Sequence, residues 1–314
     1  MKSAIGRLSR RGVVVYAASA FILAIVLLSG YFFIKKPEHV TSSRPEESQK
    51  VILFRDVKYS GERKGLIDWE VRAKLARQYL DKGQVVEMEG IEGEYKPQSG
   101  TIVSFKGLKG EIDREKEFGT VQDVEVYYKG EYVIKSSVMN FDFKKSLAYT
   151  TAPVNLKGKK LTMMGVGLNA DTKEQIITIE RDVSGTMQTE KQKTKFSADK
   201  FTYFMKEGTY VLLGKVIVKG EQMNLLCDRV NILSDGETVE KADATGHVQI
   251  LAKGTIAKSE RAVYYFKENK VVLEQEPHVF RDGVEIRGVT VTYDLKTDRF
   301  SVEKPKMRIE QRTR

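Results

Sequence analysis

The feature that most constrains this chain is a repeat with a period near 30 residues. Six segments align without internal gaps: SSVMNFDFK from Ser136, GVGLNADTK from Gly165, ADKFTYFMK from Ala198, CDRVNILSD from Cys227, SERAVYYFK from Ser259 and GVTVTYDLK from Gly288. Each begins with a small residue and puts an apolar residue fourth. Except for Ala170, a large residue comes sixth. The sixth-position residues are Phe141, Ala170, Tyr203, Ile232, Tyr264 and Tyr293, separated by 29, 33, 29, 32 and 29 residues. GLKGEIDRE, with Ile112 a further 29 residues back, is a weaker seventh copy. Periodicity of this length means stacked supersecondary units, none of which can bury its apolar face alone.

Between the copies lies a second element: DVEVYYKG at Asp123, PVNLKG at Pro153, GKVIVKG at Gly214, GHVQILAKG at Gly246 and PHVFRDG at Pro277. An alternating run closed by Lys-Gly or Asp-Gly is the pattern of a strand entering a tight turn. Each repeat therefore reads as two or three short strands. Side chains alternate across a strand, so Met139 and Phe141, Phe201 and Tyr203, Val230 and Ile232, and Val291 and Tyr293 share a face. Leu168 and Tyr264 hold equivalent positions. Partner strands add Val124 and Val126, Val154 and Leu156, Val216 and Val218, and Val248 and Ile250. Stacking the units aligns these into one long apolar interior, either sealed as a core or open as a groove. Asn140, Asn169, Thr202, Asn231 and Thr292 face solvent. The stretch WEVRAKLARQYL from Trp69 fits a helical spacing, but Trp69, Val71 and Ala73 also alternate, and we read a strand running into a turn at Asp81-Lys82-Gly83.

Before the repeats, residues 12–34 (GVVVYAASAFILAIVLLSGYFFI) carry no charge. At 1.5 Å per residue they would span a hydrocarbon core of about 30 Å. Basic residues precede them, so residues 1–11 are expected in the cytoplasm and everything after Lys36 is expected to be exported. The run is longer than a cleavable signal's apolar region and ends in Tyr31, Phe32, Phe33 and Ile34 rather than small residues, which favours an uncleaved anchor. Residues 35–50 are polar and non-periodic and read as a tether.

The chain has 53 basic and 43 acidic residues, and six of the basic ones but no acid lie in the first 36, leaving 47 against 43. Such a mildly basic body suits an anionic amphiphile, an acidic partner or plain solubility. No basic stripe is interleaved with aromatics, so nucleic acid is not an expected partner. Cys227 is the only cysteine and reads as a small core residue. The histidines His39, His247 and His278 lack metal-ligand spacing, and no nucleophile elbow or P-loop is present. Asp142, Asp171 and Asp294 recur one place after the sixth position and read as solvated outer-face residues rather than a catalytic pair. No catalysis, cofactor or metal is expected.

The anchor, W-x-V-x-A at Trp69 to Ala73, and the strands SSVMNFDFKKSLAYTTAPVNL from Ser136 resemble LptC, the membrane-anchored component of the lipopolysaccharide exporter, over roughly residues 1–190. The stretch FSADKFTYFMKEGTYVLLGKVIVKG from Phe196, with CDRVNI, ATGHVQI and SERAVYYFKENKVVLEQEPHVF, is similar to the OstA-like domain of LptA over roughly 195–314. An LptC-like protein usually stops near Met187, so two units look fused, at 51–190 and 195–314.

The resemblance implies an all-β fold, an elongated twisted antiparallel β-jelly roll of OstA-like type behind one transmembrane helix. It also implies a groove that shields the acyl chains of lipopolysaccharide received from an inner-membrane ABC transporter. Each methylene withdrawn from water gains about 0.8 kcal/mol, so a chain of about a dozen carbons gains on the order of 10 kcal/mol. Lipid would then pass to another OstA-like jelly roll by strand addition. Expected groove residues are Met139, Phe141, Leu168, Phe201, Tyr203, Val216, Val218, Val230, Ile232, Val248, Ile250, Tyr264, Val291 and Tyr293. The charged end PKMRIEQRTR from Pro305 could be a docking edge or a blunt guard against aggregation. The alternative to a conduit is a membrane-tethered β-solenoid scaffold or adhesin.

Overall fold

The computed structural model describes residues 50–309 apart from 64–65, 82, 97–101, 129, 189–192, 222 and 236–237. The expected cytoplasmic end, the anchor over 12–34 and nearly all of the tether lie outside the described residues. Among the described residues, no helix is long and apolar enough to cross a membrane.

The described residues form 21 strands. The first nine are β1 (Val51–Arg63), β2 (Leu66–Tyr79), β3 (Val85–Tyr95), β4 (Val103–Asp113), β5 (Phe118–Tyr128), β6 (Tyr132–Asp142), β7 (Leu147–Lys157), β8 (Leu161–Asp171) and β9 (Ile176–Gln188). There follow β10 (Lys193–Ala198), β11 (Lys200–Phe204), β12 (Thr209–Lys219), β13 (Asn224–Asp235), β14 (Thr238–Ala252) and β15 (Thr255–Tyr265). The last six are β16 (Lys270–Glu274), β17 (His278–Arg281), β18 (Val284–Arg287), β19 (Thr290–Asp294), β20 (Arg299–Glu303) and β21 (Lys306–Ile309).

Pairing is antiparallel throughout and follows chain order, from β1 on β2 to β8 on β9. β10 and β11 together occupy the rank between β9 and β12. In the same way β16 with β17, β18 with β19, and β20 with β21 share a rank each. The hydrogen-bonded sheet thus passes without a break through the region where the two family-like segments meet. Trp69 to Tyr79 lies in β2, the strand reading of that stretch.

The expectation of two or three short strands per repeat needs correcting. Through most of the sheet each period supplies two long strands, bent in the middle. The bend is a bulge that leaves the ladder bonded on both sides. Mid-strand residues Asp56, Asp123 and Asp182 have φ of 49, 49 and 54°, and Gly167 has φ of 77°. Each bulge reverses which residues point inward. In β6, Ile134 and Ser136 are buried before it and Met139 and Phe141 after it. In β8, Met163 and Gly165 give way to Leu168. Strands bent at matching places fold one sheet into two facing layers.

The turns explain the 29-residue spacing. Four-residue turns at 114–117, 143–146, 172–175, 266–269 and 295–298 each end in a residue with positive φ: Glu117, Ser146, Gln175, Asn269 and Asp298. The recurring aspartates, expected on a solvated outer face, are half-buried turn caps. Asp113 accepts the N–H groups of Glu115 and Lys116, Asp142 that of Lys145, Asp171 those of Lys173 and Glu174, and Asp294 those of Lys296 and Thr297. A short carboxylate side chain competes well for such turn donors.

Candidate functional site: an apolar interior between two layers

Two rows of inward residues cross the sheet, one on each layer. In the first, Ile112, Gly119, Phe141, Ala148, Ala170, Ile177, Tyr203 and Tyr210 are successive pairing partners. It continues through Ile232, Ala242, Tyr264, Val271, Tyr293 and Phe300. All six sixth-position residues fall in this row. The second row runs through Gly93, Phe105, Val126, Ile134, Leu156, Met163, Gly185, Phe196 and Val218. Leu225, Ile250, Ala257, Val279 and Ile286 complete it. The rows face each other. Phe105 of the second stacks on Phe141 of the first with ring centroids 4.4 Å apart.

Of the expected groove residues, Met139, Phe141, Leu168, Phe201, Val216, Val230, Val248, Ile250, Val291 and Tyr293 are buried. Tyr203, Val218, Ile232 and Tyr264 are half-buried and pack against the same core. The structure brings only part of this set to one opening. A cleft continuous with solvent lies between the layers and is lined by Met139, Phe141 and Leu168. The rest of its lining is Tyr95, Val103, Phe105, Val126, Tyr128, Ile134, Phe143, Leu147, Ala148, Ala170, Ile177 and Met205, with Asp142, Ser146, Asp171 and Thr172 as its polar members. Of the apolar ones only Val126 and Ala170 stand out in the sequence.

The opening has an identifiable cause. Where the first row beyond β9 carries Tyr203, Tyr210, Tyr264 and Tyr293 among smaller residues, here it lines the cleft with Ala148 and Ala170. A methyl group added at Gly119 would meet the Glu111 carbonyl oxygen at 3.4 Å and the Phe143 ring at 3.8 Å, ordinary contact distances. At glycines of the second row the opposite holds. The Phe105 ring lies 2.2 Å from where a Cβ of Gly93 would be, and the Phe196 ring 2.4 Å from that of Gly185. There aromatic rings press on the bare backbone; over Gly119 the Phe143 ring stands far enough off to leave room for a methyl group. The walls are aromatic: Trp69 stacks on Phe143 at 4.5 Å, and Phe143 lies 6.2 Å from Phe141. Two contacts bridge the rims. The Tyr95 hydroxyl donates to Ser146 Oγ at 3.0 Å, and that of Tyr128 to Met205 Sδ at 3.1 Å.

Beyond β9 the interior is filled. Tyr203 stacks on Tyr210 at 4.2 Å, Tyr264 packs on Phe266 at 4.3 Å and Tyr293 stacks on Phe300 at 4.4 Å. Burial raises the phenol pKa of Tyr203 and Tyr264, as expected for rings in a dry interior. Only a small apolar gap remains beside Tyr293 and Phe300. At its rim Arg281 makes a two-pronged ion pair with Asp298 at 3.0 and 2.7 Å, and the Tyr293 hydroxyl donates to the same carboxylate at 2.5 Å.

Cys227 is buried, and burial pushes its thiol up to about 12. His247 Nδ1 lies 2.7 Å from Asp228 Oδ2 in an exposed pair that raises the imidazole pKa. Among the described residues, no three His, Cys, Asp or Glu side chains gather as a metal site.

A bent antiparallel sheet with a solvent-connected apolar cleft between its layers defines an all-β protein. Residues 20–188 match the model of the LptC-related lipopolysaccharide-assembly family, and residues 195–299 match that of the LptA/LptD N-terminal lipopolysaccharide-transport domain. The chain belongs to the LptC-related family and carries an LptA-like domain after it. It is a lipopolysaccharide-transport component that works with other proteins of that system. No curated protein matches it. Among solved structures it is similar to LptH, the LptA-homologous periplasmic component of the lipopolysaccharide transport device of Pseudomonas aeruginosa. The two are 21% identical over 38% of this chain and 97% of that one, with a TM-score of 0.37.

Proposed function

We propose that the chain is a non-catalytic conduit, anchored in the inner membrane through residues 12–34, whose periplasmic sheet holds acyl chains of lipopolysaccharide between its two layers. The observation that carries this reading is the cleft beside Ala170, whose exposed wall is almost entirely apolar and which is open to water. An acyl chain seated there exchanges contact with water for contact with Phe105, Phe141 and Leu168, at about 0.8 kcal/mol per methylene. The sugar head stays outside, beyond the Tyr95–Ser146 and Tyr128–Met205 contacts.

The energy for lifting lipid comes from an inner-membrane ABC transporter that delivers it. Onward passage uses strand addition to another OstA-like sheet. Two features mark the anchor-side edge as one that a partner sheet would also cover. Among the described residues β1 pairs with β2 alone, and it exposes Val51, Ile52, Leu53 and Phe54 along an edge. An edge of that composition is either covered by a partner or prone to aggregate. The two transport units are residues 51–190 and 195–314, and of the candidate groove residues Met139, Phe141 and Leu168 line the open cleft.

A photo-crosslinking residue at Leu168, introduced into the full chain in cells, is expected to trap lipopolysaccharide. Adding Ala170→Phe fills the cleft and lowers the yield at least about tenfold, whereas Asn169→Leu, on the opposite face of the same strand, leaves it unchanged. Equal labelling from Asn169 and Leu168 overturns the reading.

A further inference from the structure

The outward face of the second layer changes character along the sheet. On β3 to β6 one outward row carries Glu92, Lys106, Glu125 and Lys135, successive pairing partners. Charges alternate there and satisfy one another: Lys106 pairs with Glu92 at 3.2 Å, and Lys135 with Glu125. The same row passes on through the pairings of β7 to β10 and beyond them carries Ile217 and Leu226. Two residues along the strands, Leu251, Ile256 and Phe280 are successive partners in the next outward row. Leu226 faces Gln249 and so stands diagonal to Leu251, within reach of long side chains. Leu226, Ile256 and Phe280 are 38, 40 and 41% exposed. The five make one apolar strip across β12, β13, β14, β15 and β17, about 19 Å long at about 4.8 Å per rank. Exposed lysines border it. Lys195 and Lys219 stand directly opposite each other in the row that leads to Leu251, and Lys258 lies two residues from Ile256. Among the described residues none of these three lysines makes an ion pair. Like charges directly opposite in an antiparallel pair are destabilising. Glu285, beside Phe280, is already held by Arg287.

We propose that this strip is a docking face for an acidic amphipathic segment of another protein. The five strands beneath it are each paired on both sides, so their backbone is closed to strand addition and the occupant binds through side chains. A helix laid across the strands fits: its 5.4 Å pitch is close to the spacing of ranks, so each turn offers an apolar residue to one strand. Acidic residues at one end of that segment meet Lys195 and Lys219, and one on its flank meets Lys258. A second copy of this chain brings no free carboxylate to the strip, because Glu285 is taken. A membrane surface spreads its negative charge evenly, whereas the paired lysines stand at one end. The face points away from the interior, so the assignment does not depend on what occupies the cleft.

The test uses the full chain in cells, with a photo-crosslinking residue at Gln249, which faces Leu226 on one side and Lys258 on the other. A second position, Asn169 on the outward face of the other layer, serves as control. Gln249 is expected to give a protein adduct that Asn169 does not. Peptide mapping should place it on a segment of net negative charge with apolar residues three and four apart. Lys195→Glu with Lys219→Glu keeps the like-charge pair but reverses its sign, and should lower the yield about tenfold. The mapped segment, made as a peptide, should bind the purified full chain in an amphipathic polymer. Ile256→Thr with Phe280→Thr should weaken it about tenfold. Lys195→Gln with Lys219→Gln should weaken it about fivefold and flatten its salt dependence. The same lysine change should leave the thermal midpoint unchanged or higher, because it removes a repulsion; lysines with a structural role would lower it. No protein adduct at Gln249 overturns the docking face. So does an adduct to a second copy of this chain, one on a basic segment, or one that survives the charge reversal. Adducts carrying phospholipid label in place of protein identify a membrane surface and overturn it as well. Capture of lipopolysaccharide at Leu168 is read separately, so either proposal can fail alone.

Discussion

The stretch from β4 to β9 and the stretch from β12 to β20 use the same strands, bends and turns, yet one is open inside and the other is filled. The difference lies in a handful of side chains along one row. Ala148 and Ala170 line the opening in the first stretch, where the second carries Tyr203, Tyr210, Tyr264 and Tyr293 among smaller residues. Backbone pairing makes the two layers; residue volume decides whether anything else fits between them. A pair of layers held by bent strands cannot collapse onto a missing ring as a loose core would, since both layers belong to one bonded sheet.

The sharpest way to break the comparison is to remove a ring from the open half. Phe105→Ala deletes the stack on Phe141 and uncovers Gly93, and is expected to cost about 3–5 kcal/mol in urea unfolding. A cost near that of a surface change would mean the cleft wall is not packed. Next come two glycines that differ only in what lies above them. Gly93→Ala drives a methyl into the Phe105 ring and should cost about 1–3 kcal/mol, while Gly119→Ala should stay within about 0.5 kcal/mol. Equal costs would remove the argument that space lies over Gly119.

A smaller effect tests the filled half through pH. Arg281, then the Tyr293 hydroxyl, hold the Asp298 carboxyl down at about 2, below its unfolded value. The clasp's contribution is then complete above about pH 4 and is lost as pH falls through about 2, because the unfolded chain binds the proton first. Thermal midpoints of Asp298→Asn and the unsubstituted chain should converge as pH is lowered across that window. Smallest in energy is the behaviour of Cys227. With its thiol at about 12, alkylation at pH 8 should run about two to three orders of magnitude slower than in the unfolded chain. Rapid labelling would show that the filled half opens readily.

Much of this arrangement was legible in the sequence, because period two along a strand and a 29-residue turn spacing act together. They put Phe141, Ala170, Tyr203, Ile232, Tyr264 and Tyr293 in one row, as the bonded register has them. The bends were not legible. Asp56, Asp123 and Asp182 adopt positive φ without being glycine; aspartate tolerates that region better than most side chains, but a lone aspartate inside a strand pattern does not by itself mark a bend. The available signal was a slip in alternation: Met163 and Gly165 are inward, and then Leu168 rather than a residue at an odd position. Ala170 was noticed only as an exception to the sixth-position rule, and Ala148 and Gly119 not at all. Their role depends on being neighbours across strands, which chain order hides. The Arg281–Asp298 clasp was invisible for the same reason.

The unbroken ladder of bonds carries a consequence for reach. Four ranks are shared by two short strands each, so the 21 strands occupy 17 ranks. At about 4.8 Å between ranks the ladder measures on the order of 75 Å. With no pivot at the junction of the two family segments, the molecule works as a ruler graduated in strands. Adding or deleting one thirty-residue unit would change that measure by about 10 Å, two ranks at that spacing, so the gap such a chain can cross is written in its number of repeats.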